Sequence, residues 1–466
     1  MKRMLALLII MLLFCLISSS CAGCFDTENG DAFVISSEIP PVSVELASKP
    51  LESLSGTVVD ASIHTVTIQT DKGDEITFQK DEDTLVSGSG LAVGAVVTLS
   101  FYGDAGAKET QRDVHAAKIN VVSGAPAQSS PTGARAQQLL DEMTLEEKVG
   151  QMFLVCCPER DAAGFVEKYQ VGGFVLFGRD FKGKTKAEVI DNIASYQAKS
   201  KLKMLICVDE EGGTVNRVSA YSEFRAIPFL SPQQLYEKGG MKLIKSDTEE
   251  KAGLLKSLGI NCNLAPVCDV SIEPDDFIYA RSFGKGGDAT SEYVKTVVTV
   301  MQQQNLGCTL KHFPGYGGNA DTHAGIVHDK RPYATYLNSD FKPFQAGLEA
   351  GAGSVLVSHN IVESMDPDYP ASLSGKVHQI LREELSFDGV VMTDDLAMGA
   401  VSQYTDGADA AVLAVEAGND MLCTSGFDEG FPAVLNAVRE GRILETQIDK
   451  SVHRILVWKL NLKILE

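Results

Sequence analysis

Two patterns of apolar residues divide this chain. Between residues 51 and 122, short runs rich in β-branched residues partly alternate with polar ones, and turn-forming segments such as DKGD and GDAG separate the runs. Partial alternation with a period of two is typical of β-strands that bury one face. We therefore expect residues 51–122 to form a small all-β domain, either a five-stranded barrel or a sandwich.

After residue 135 the apolar residues occur in short continuous runs, and helix-sized segments lie between most of them. Eight runs follow this pattern: MFLVCC, GGFVLFG, KMLICVD, GINCNLAPVCD, GCTLKHF, GSVLVSHN, GVVMTDD and NDMLCTS. Eight buried strands that alternate with helices predict an α/β fold of the (β/α)8, TIM-like barrel type over residues 135–466. A doubly wound open sheet is the alternative, but no G-x-G-x-x-G motif follows the first run.

The start of the chain has the pattern of an exported protein. Lys2 and Arg3 precede the apolar run MLALLIIMLLFCLI, and SSSCAGC follows it. The run is shorter than the roughly 20 residues that a membrane-spanning helix needs. Residues 1–21 are therefore predicted to be a signal peptide of the lipoprotein type, with the lipid on Cys21 and with Cys24 as the second choice. A plain secretory signal is the alternative.

A lipid on Cys21 predicts a protein held on the outer face of a bacterial cell membrane. The polar residues 22–50 are then expected to form a flexible tether, and residues 123–134, SGAPAQSSPTGA, have the composition of a linker. The net charge of −21 argues against nucleic acid as a partner, because an acidic surface does not neutralise phosphates. The sequence leaves the oligomeric state open.

The ten cysteines do not have the spacing of a disulfide framework or of a zinc site. Three lie in or beside the signal, and the others lie mostly within apolar runs. A buried cysteine behaves as a small hydrophobic residue. We therefore expect these seven to belong to the core, and the sequence indicates no metal.

Polar residues stand at the ends of five of the eight apolar runs. They are Asp209 after the third run, Asp269 after the fourth, Lys311 and His312 in the fifth, His359 in the sixth, and Asp394 and Asp395 in the seventh. The C-terminal ends of barrel strands meet at one rim, where active sites of such barrels are built. The sequence therefore predicts a shared site at this rim.

Two segments carry the chemistry that this rim suggests. Asp394 leaves a buried strand, and a partly shielded carboxylate there can attack an electrophilic carbon; helix capping by one of the two aspartates is the alternative. In KHFPGYGGNADTHAG, residues 311–325, Asp321 stands two residues before His323. An aspartate can hold the second N–H of an imidazole that donates a proton to a leaving group. This pair of groups fits a retaining glycosidase, although a satisfied Asp–His pair on a surface loop remains an alternative.

Four motifs resemble one family. KHFPGYGGNADTH, together with VDEEGGTVNR, ARSFG and VVMTDDLAM, is similar to family 3 of the glycoside hydrolases, in its β-N-acetylglucosaminidase (β-N-acetylhexosaminidase) branch. The resemblance covers the chain from about residue 135 onward. It implies that Asp394 is the nucleophile, that His323 is the general acid/base and that Asp321 pairs with it. It further implies that the sugar is bound by Asp209, Arg217, Arg281, Lys311 and His312, without a metal or organic cofactor.

The resemblance also implies an exo-acting enzyme on terminal β-linked GlcNAc of cell-wall fragments or chitin oligomers. Other branches are usually longer and take their acid/base from a following domain. Two departures concern the site: Tyr316 stands where the family commonly has His, and Glu210 and Thr214 lie within a motif that commonly reads Gln-Glu-Gly-Gly-Arg, where they could alter subsite preference.

Three alternatives stay open on the sequence. The chain could be a non-catalytic, wall-binding surface lipoprotein, or a barrel aldolase with Lys311 as its Schiff-base amine. The same site could also act as a GlcNAc phosphorylase, because a histidine donor, unlike a carboxylate, does not repel phosphate.

Overall fold

The computed structural model describes residues 51–61, 65–70, 73–80, 84–88, 94–102, 115–123, 130–322, 325–405 and 407–466. The predicted signal peptide and tether, with Cys21 and Cys24, lie outside the described residues. The predicted acid/base His323 also lies outside them.

The first described part is a small β-sheet domain. Its strands are β1 (Leu51–Ala61), β2 (Thr65–Gln69), β3 (Glu75–Gln79), β4 (Leu85–Gly88), β5 (Val96–Tyr102) and β6 (His115–Ser123). The order is β3-β2-β1-β5-β6-β4, and a bridge between Gln79 and His115 also joins β3 to β6. Five strands thus form a ring, which confirms the predicted all-β domain. β4 is an additional strand, whose four residues are too few to show a period in the sequence.

The alternation of apolar and polar residues in this domain matches the burial of their side chains. Val66 and Ile68 of β2 and Val97, Leu99 and Phe101 of β5 are at most 1% exposed, and these positions are two apart along each strand. Successive side chains of a strand point to opposite faces, so one face of each strand supplies the core. The polar residues between them lie on the other face.

All eight predicted apolar runs form the strands of a parallel barrel. They are β7 (Phe153–Cys156), β8 (Gly173–Leu176), β9 (Leu205–Val208), β10 (Cys262–Asn263), β11 (Gly307–Phe313), β13 (Ser354–Val357), β15 (Val390–Thr393) and β16 (Leu422–Thr424). The strands are neighbours in the order β15-β13-β11-β10-β9-β8-β7-β16. A bridge between Met392 and Met421, with Thr393 N–H donating to the Met421 carbonyl at 3.1 Å, joins the two ends of this order. The predicted TIM-like barrel is confirmed.

The strand β10 is shorter than its apolar run. Pro266, which has no amide hydrogen to donate to a ladder, interrupts the pairing, and the pairing resumes with a bridge between Val267 and Lys311. A separate two-stranded sheet, β12 (His328–Asp329) with β14 (Ile361–Val362), lies in the segments that follow β11 and β13.

Fourteen α-helices are present in the described residues. They are α1 (Pro131–Asp141), α2 (Leu145–Gln151), α3 (Ala162–Tyr169), α4 (Gly178–Phe181), α5 (Lys186–Lys199), α6 (Pro232–Ser257), α7 (Gly287–Gln303), α8 (Tyr333–Thr335), α9 (Phe341–Glu349), α10 (Gly375–Gln379), α11 (Gly399–Ser402), α12 (Gly407–Ala417), α13 (Phe427–Arg439) and α14 (Glu445–Asn461). Residues 336–340 and 380–384 form π-helical turns, and residues 371–373 form a 3-10 turn. In the part of the chain that the structure describes, no helix is both long and apolar enough to span a membrane.

The helix starts have clear local causes. Thr144, Thr185 and Ser231 cap α2, α5 and α6, and each accepts from the backbone N–H three residues later while Glu or Gln at that position bonds back. This reciprocal capping satisfies two amides that the helix itself leaves unpaired. The helices cover the outside of the barrel, so the strands are buried on both faces. This burial explains why they appear as continuous apolar runs.

Candidate active site

A cluster of ionised side chains occupies the C-terminal rim of the barrel. Lys311 Nζ lies 2.6 Å from Asp209 Oδ1 and 2.7 Å from Glu211 Oε1. Arg281 meets both oxygens of Glu211, with Nε at 3.0 Å and Nη2 at 2.8 Å. Strand β9 ends just before Asp209, and strand β11 contains Lys311, so both residues lie at the rim. The loop after β10 supplies Arg281. The predicted site residues Asp209, Arg281 and Lys311 are thus brought together.

The electrostatics of this cluster keep its groups charged. Burial alone would raise the pKa of Glu211, but Lys311 and Arg281 outweigh it and hold the pKa well below its usual range. Burial alone would lower the pKa of Lys311, but Asp209 and Glu211 outweigh it and raise the pKa. A Schiff base forms only from a neutral amine. The raised pKa of Lys311 therefore argues against the aldolase alternative.

His312 adds an imidazole to the cluster. Its Nδ1 lies 2.7 Å from Asp269 Oδ2, its backbone N–H donates to the same oxygen at 3.1 Å, and its Nε2 lies 3.1 Å from Arg281 Nη2. Because a guanidinium has only donors, Nε2 must accept from Arg281, and Nδ1 must carry the proton and donate to Asp269. Asp269 therefore selects the tautomer of His312. The peptide bond between Lys311 and His312 is cis.

Asp394 lies at the end of β15 beside this cluster. It is partly buried, its backbone N–H donates to the Val357 carbonyl at 3.1 Å, and its Oδ1 accepts the Asp395 N–H at 2.9 Å. Burial alone would raise its pKa, but His359 first, and then the Asp395 amide and Lys311, help to outweigh it and lower the pKa. The carboxylate is therefore ionised at neutral pH, as a nucleophile requires.

Asp395 has a different task. Its Oδ1 accepts from the backbone N–H of Ala397 and of Ser425, both at 3.0 Å. It thus holds the turn after β15 against the loop after β16. Helix capping, the sequence alternative for one of the two aspartates, is not the role of Asp395, because it caps a turn and not the first turn of a helix.

Arg217 and Glu210 lie in the loop after β9. Glu210 is fully buried and accepts from the backbone N–H of Arg217 at 2.8 Å, of Val218 at 2.7 Å and of Ser219 at 3.1 Å. The expectation that Glu210 could alter subsite preference is not supported, because these bonds direct its carboxylate into the loop backbone. The guanidinium of Arg217 lies 5.9 Å from the centre of the Phe177 ring. Among the described residues no hydrogen bond partner meets its buried Nε, and no ion pair joins it to the cluster.

The segment with Asp321 approaches the site from the loop after β11. Asp321 is partly buried. The next residue, Thr322, is fully buried; its Oγ1 lies 2.6 Å from Tyr316 Oη, and its carbonyl accepts the Ala400 N–H at 3.1 Å. Because His323 is outside the described residues, the predicted pairing of Asp321 with His323 stays a prediction.

Three residues of the site have roles that the sequence analysis did not predict. Glu211 is the counterion of two cations, Asp269 sets the tautomer of His312, and His359 contributes to the low pKa of Asp394. Asp269 and His359 were expected at the rim, since both stand at the ends of predicted strands, but no role was assigned to them from the sequence. Glu211 could have been found from the need of Lys311 and Arg281 for a buried counterion.

This geometry defines a class of protein. An ionised carboxylate lies at the mouth of a parallel barrel beside Lys, Arg, His and further carboxylates, and this set suits a ligand with many hydroxyl groups and an electrophilic carbon. Enzymes that cleave glycosidic bonds through a carboxylate nucleophile have such sites.

Comparison with known proteins agrees with this class. The family model described as "Glycosyl hydrolase family 3 N terminal domain" matches residues 144–457, so the chain belongs to glycoside hydrolase family 3. A curated β-hexosaminidase of Stenotrophomonas maltophilia is 34% identical over 298 residues, which are 62% of this chain and 84% of that protein.

Two solved structures show the same similarity. A family 3 β-N-acetylglucosaminidase from Paenibacillus aligns with a TM-score of 0.64 and 29% identity, covering 69% of this chain and 63% of that chain. A β-N-acetylhexosaminidase from Beutenbergia cavernae aligns with a TM-score of 0.60 and 27% identity, covering 68% of this chain and 98% of that chain. The predicted family and enzyme class, a glycoside hydrolase with β-hexosaminidase relatives, are confirmed. The non-catalytic alternative is therefore disfavoured.

Proposed function

We propose that this enzyme is an exo-acting, retaining β-N-acetylglucosaminidase that removes terminal β-linked GlcNAc from cell-wall fragments or chitin oligomers. The observation that carries the proposal is the partly buried carboxylate of Asp394 at the end of β15 on the barrel rim, beside Lys311 and His312. The names of the relatives support GlcNAc over glucose as the sugar.

The proposed first step is a displacement at the anomeric carbon. A carboxylate oxygen of Asp394 forms a bond to this carbon while the bond to the leaving oxygen breaks, and His323, paired with Asp321, donates its proton to that oxygen. In the second step His323 takes a proton from water, and the water oxygen replaces Asp394 at the same carbon. Two inversions give overall retention, and both residues return to their starting states.

The remaining site residues are proposed to hold the sugar. The Asp209 side chain is 18% exposed while its partner Lys311 is nearly buried, so this carboxylate can accept from sugar hydroxyls. Arg281, His312 and the Arg217 guanidinium offer further polar groups. Because the Glu211 carboxylate meets Lys311 and Arg281 at once, it fixes two of these groups before substrate arrives, which reduces the ordering cost of binding.

The direct test is Asp394→Asn with a chromogenic GlcNAc β-glycoside, alongside Asp288→Asn, a change at an exposed site. We expect the first variant to lose about 10⁴-fold in kcat and the second to match the wild type. A fluorinated GlcNAc donor should label Asp394, as located by peptide mass spectrometry. Undiminished turnover of Asp394→Asn, or a label on another residue, would refute the nucleophile.

The test of His323 as the proton donor uses substrates with different leaving groups. His323→Ala should lose about 10²- to 10⁴-fold in kcat/KM with an alkyl glycoside and little with a dinitrophenyl glycoside, whose leaving group needs no proton. Equal losses with both would remove His323 from the role. The same assay in high phosphate tests the phosphorylase alternative: release of GlcNAc 1-phosphate would establish it, and release of free GlcNAc alone would end it.

We also propose that the enzyme is anchored by a lipid on Cys21 outside the cell membrane. The basic, apolar and small-residue segments of residues 1–21 support this proposal. Such a location suits a role in recycling peptidoglycan fragments. Labelled fatty acid should be incorporated by the full chain and not by a Cys21→Ala variant; label that persists in the variant would point to Cys24.

A further inference from the structure

We infer that Tyr316 is a positioning residue for the acid/base segment and acts through its hydrogen bond to Thr322. The inference rests on the proposed function, because it takes His323 as the proton donor. Tyr316 itself touches no reacting atom in this proposal.

Both the backbone and the ring of Tyr316 are held by neighbouring residues of the site. Its backbone N–H donates to Asp269 Oδ1 at 2.7 Å, while the other oxygen of Asp269 binds His312. Its ring meets the His312 imidazole edge to face, with ring centres 5.2 Å apart, and meets the Phe277 ring at 5.8 Å. The residue is 2% exposed. The position of the phenol is therefore set by the sugar-binding part of the site.

The hydroxyl of Tyr316 reaches across to the acid/base segment. Oη lies 2.6 Å from Thr322 Oγ1, and Thr322 is fully buried. Burial, and then the nearby Asp394 carboxylate, raise the pKa of Tyr316 above its usual range, so the phenol stays protonated. Loss of a hydrogen bond between two buried hydroxyl groups is costly, because the remaining group is then left without a partner.

Thr322 lies between Asp321 and His323 in the chain. Consecutive Cα atoms are only about 3.8 Å apart, so a fixed Thr322 restricts where both neighbours can lie. Gly315, Gly317 and Gly325 bracket the segment, the first two with φ of 122° and 53°. Glycine restricts a backbone least, so this loop needs hydrogen bonds to fixed groups if it is to hold a catalytic group. The bond from Tyr316 and the Ala400 N–H supply two.

The test compares Tyr316→Phe, Thr322→Val, Thr322→Ser and the double variant Tyr316→Phe/Thr322→Val. Tyr333→Phe is the matched control, because it also removes a hydroxyl bond, from an exposed pair with Glu384. For each variant, kcat/KM is measured with an alkyl and with a dinitrophenyl GlcNAc β-glycoside.

We expect Tyr316→Phe and Thr322→Val to lose about tenfold with the alkyl glycoside and less than about twofold with the dinitrophenyl glycoside. Thr322→Ser keeps the hydroxyl and should retain activity with both. The double variant should lose no more than either single one, because both remove the same bond. Tyr333→Phe should match the wild type.

Three outcomes would overturn the inference: equal loss with both leaving groups, full activity of Tyr316→Phe, or additive losses in the double variant. A failure of the proposed function is distinguishable, because His323→Ala would then show no dependence on the leaving group. If His323→Ala shows that dependence and Tyr316→Phe does not, only the role of Tyr316 is refuted.

Discussion

Lys459 of α14 offers a quantitative test of the energetics of the barrel. Its ammonium group is fully buried and donates a hydrogen bond to Gln151 Oε1 at 2.7 Å. Gln151 lies just before β7. Burial lowers its pKa from 10.5 to about 7, although the nearby Cys207 acts in the opposite direction. At pH 7 the amine is therefore about half deprotonated in the folded protein, whereas it is fully protonated in the unfolded chain.

The magnitude follows from the two pKa values. Between pH 7 and 10.5 the unfolded chain binds a proton that the folded chain does not, so this residue makes the free energy of unfolding rise by about 1.4 kcal/mol per pH unit. The difference 10.5 − 7 amounts to about 5 kcal/mol over the whole window, and below pH 7 the destabilisation is complete.

The perturbation is Lys459→Met, which removes the charge and keeps the length of the side chain. Loss of the bond to Gln151 costs about 1–3 kcal/mol. The variant should therefore be about 2–4 kcal/mol more stable than the wild type at pH 6.5. At pH 9.5 the wild type has regained about 3.4 kcal/mol, and the advantage should vanish or reverse.

The assay is urea unfolding followed by tryptophan fluorescence. Trp458 is the only tryptophan of the chain and is 4% exposed, so the signal reports on the barrel and not on the β-domain. Lys450→Met, an exposed position on α14, should show no such pH dependence. A constant difference between Lys459→Met and wild type from pH 6.5 to 9.5 would refute the reasoning, because Lys459 would then have an ordinary pKa.

Three further predictions concern the site. Glu211→Gln leaves Lys311 and Arg281 without their shared counterion, so kcat/KM should fall about 10- to 100-fold; kinetics equal to those of Asp288→Asn would contradict this. Asp269→Asn removes the acceptor that selects the His312 tautomer, and a similar loss is expected in steady-state kinetics, whereas unchanged values would argue against that tautomer. Lys311→Met removes one cation that lowers the pKa of Asp394, so the acidic limb of the pH profile of kcat/KM should move to higher pH; an unmoved limb would mean that Asp394 does not control it.

Much of the site could be predicted from strand ends alone. Asp209, Lys311, His312 and Asp394 each stand at the end of an apolar run, and parallel strands deliver their ends to one rim. The resemblance to a family added Arg281, which no period in the sequence marks, because it lies in an irregular segment. Glu211 escaped notice because a run of three acidic residues, 209–211, does not show which side chain faces the rim.

The roles within that run depended on packing. Glu210 binds three backbone amides of its own loop, while Glu211 binds Lys311 and Arg281 from more distant parts of the chain. Neighbours in sequence thus have unrelated tasks. The same holds for Asp394 and Asp395, one beside the cluster and the other tied to Ser425.

The sequence by itself determined the order and type of the elements, because burial on one face or on both imposes a period that can be read without coordinates. It also determined the residue types available at the rim. Only the tertiary structure decided which charges meet, which tautomer His312 adopts and which hydroxyl holds Thr322. Those outcomes depend on distances of a few ångströms between segments far apart in the chain, and no local pattern encodes such distances.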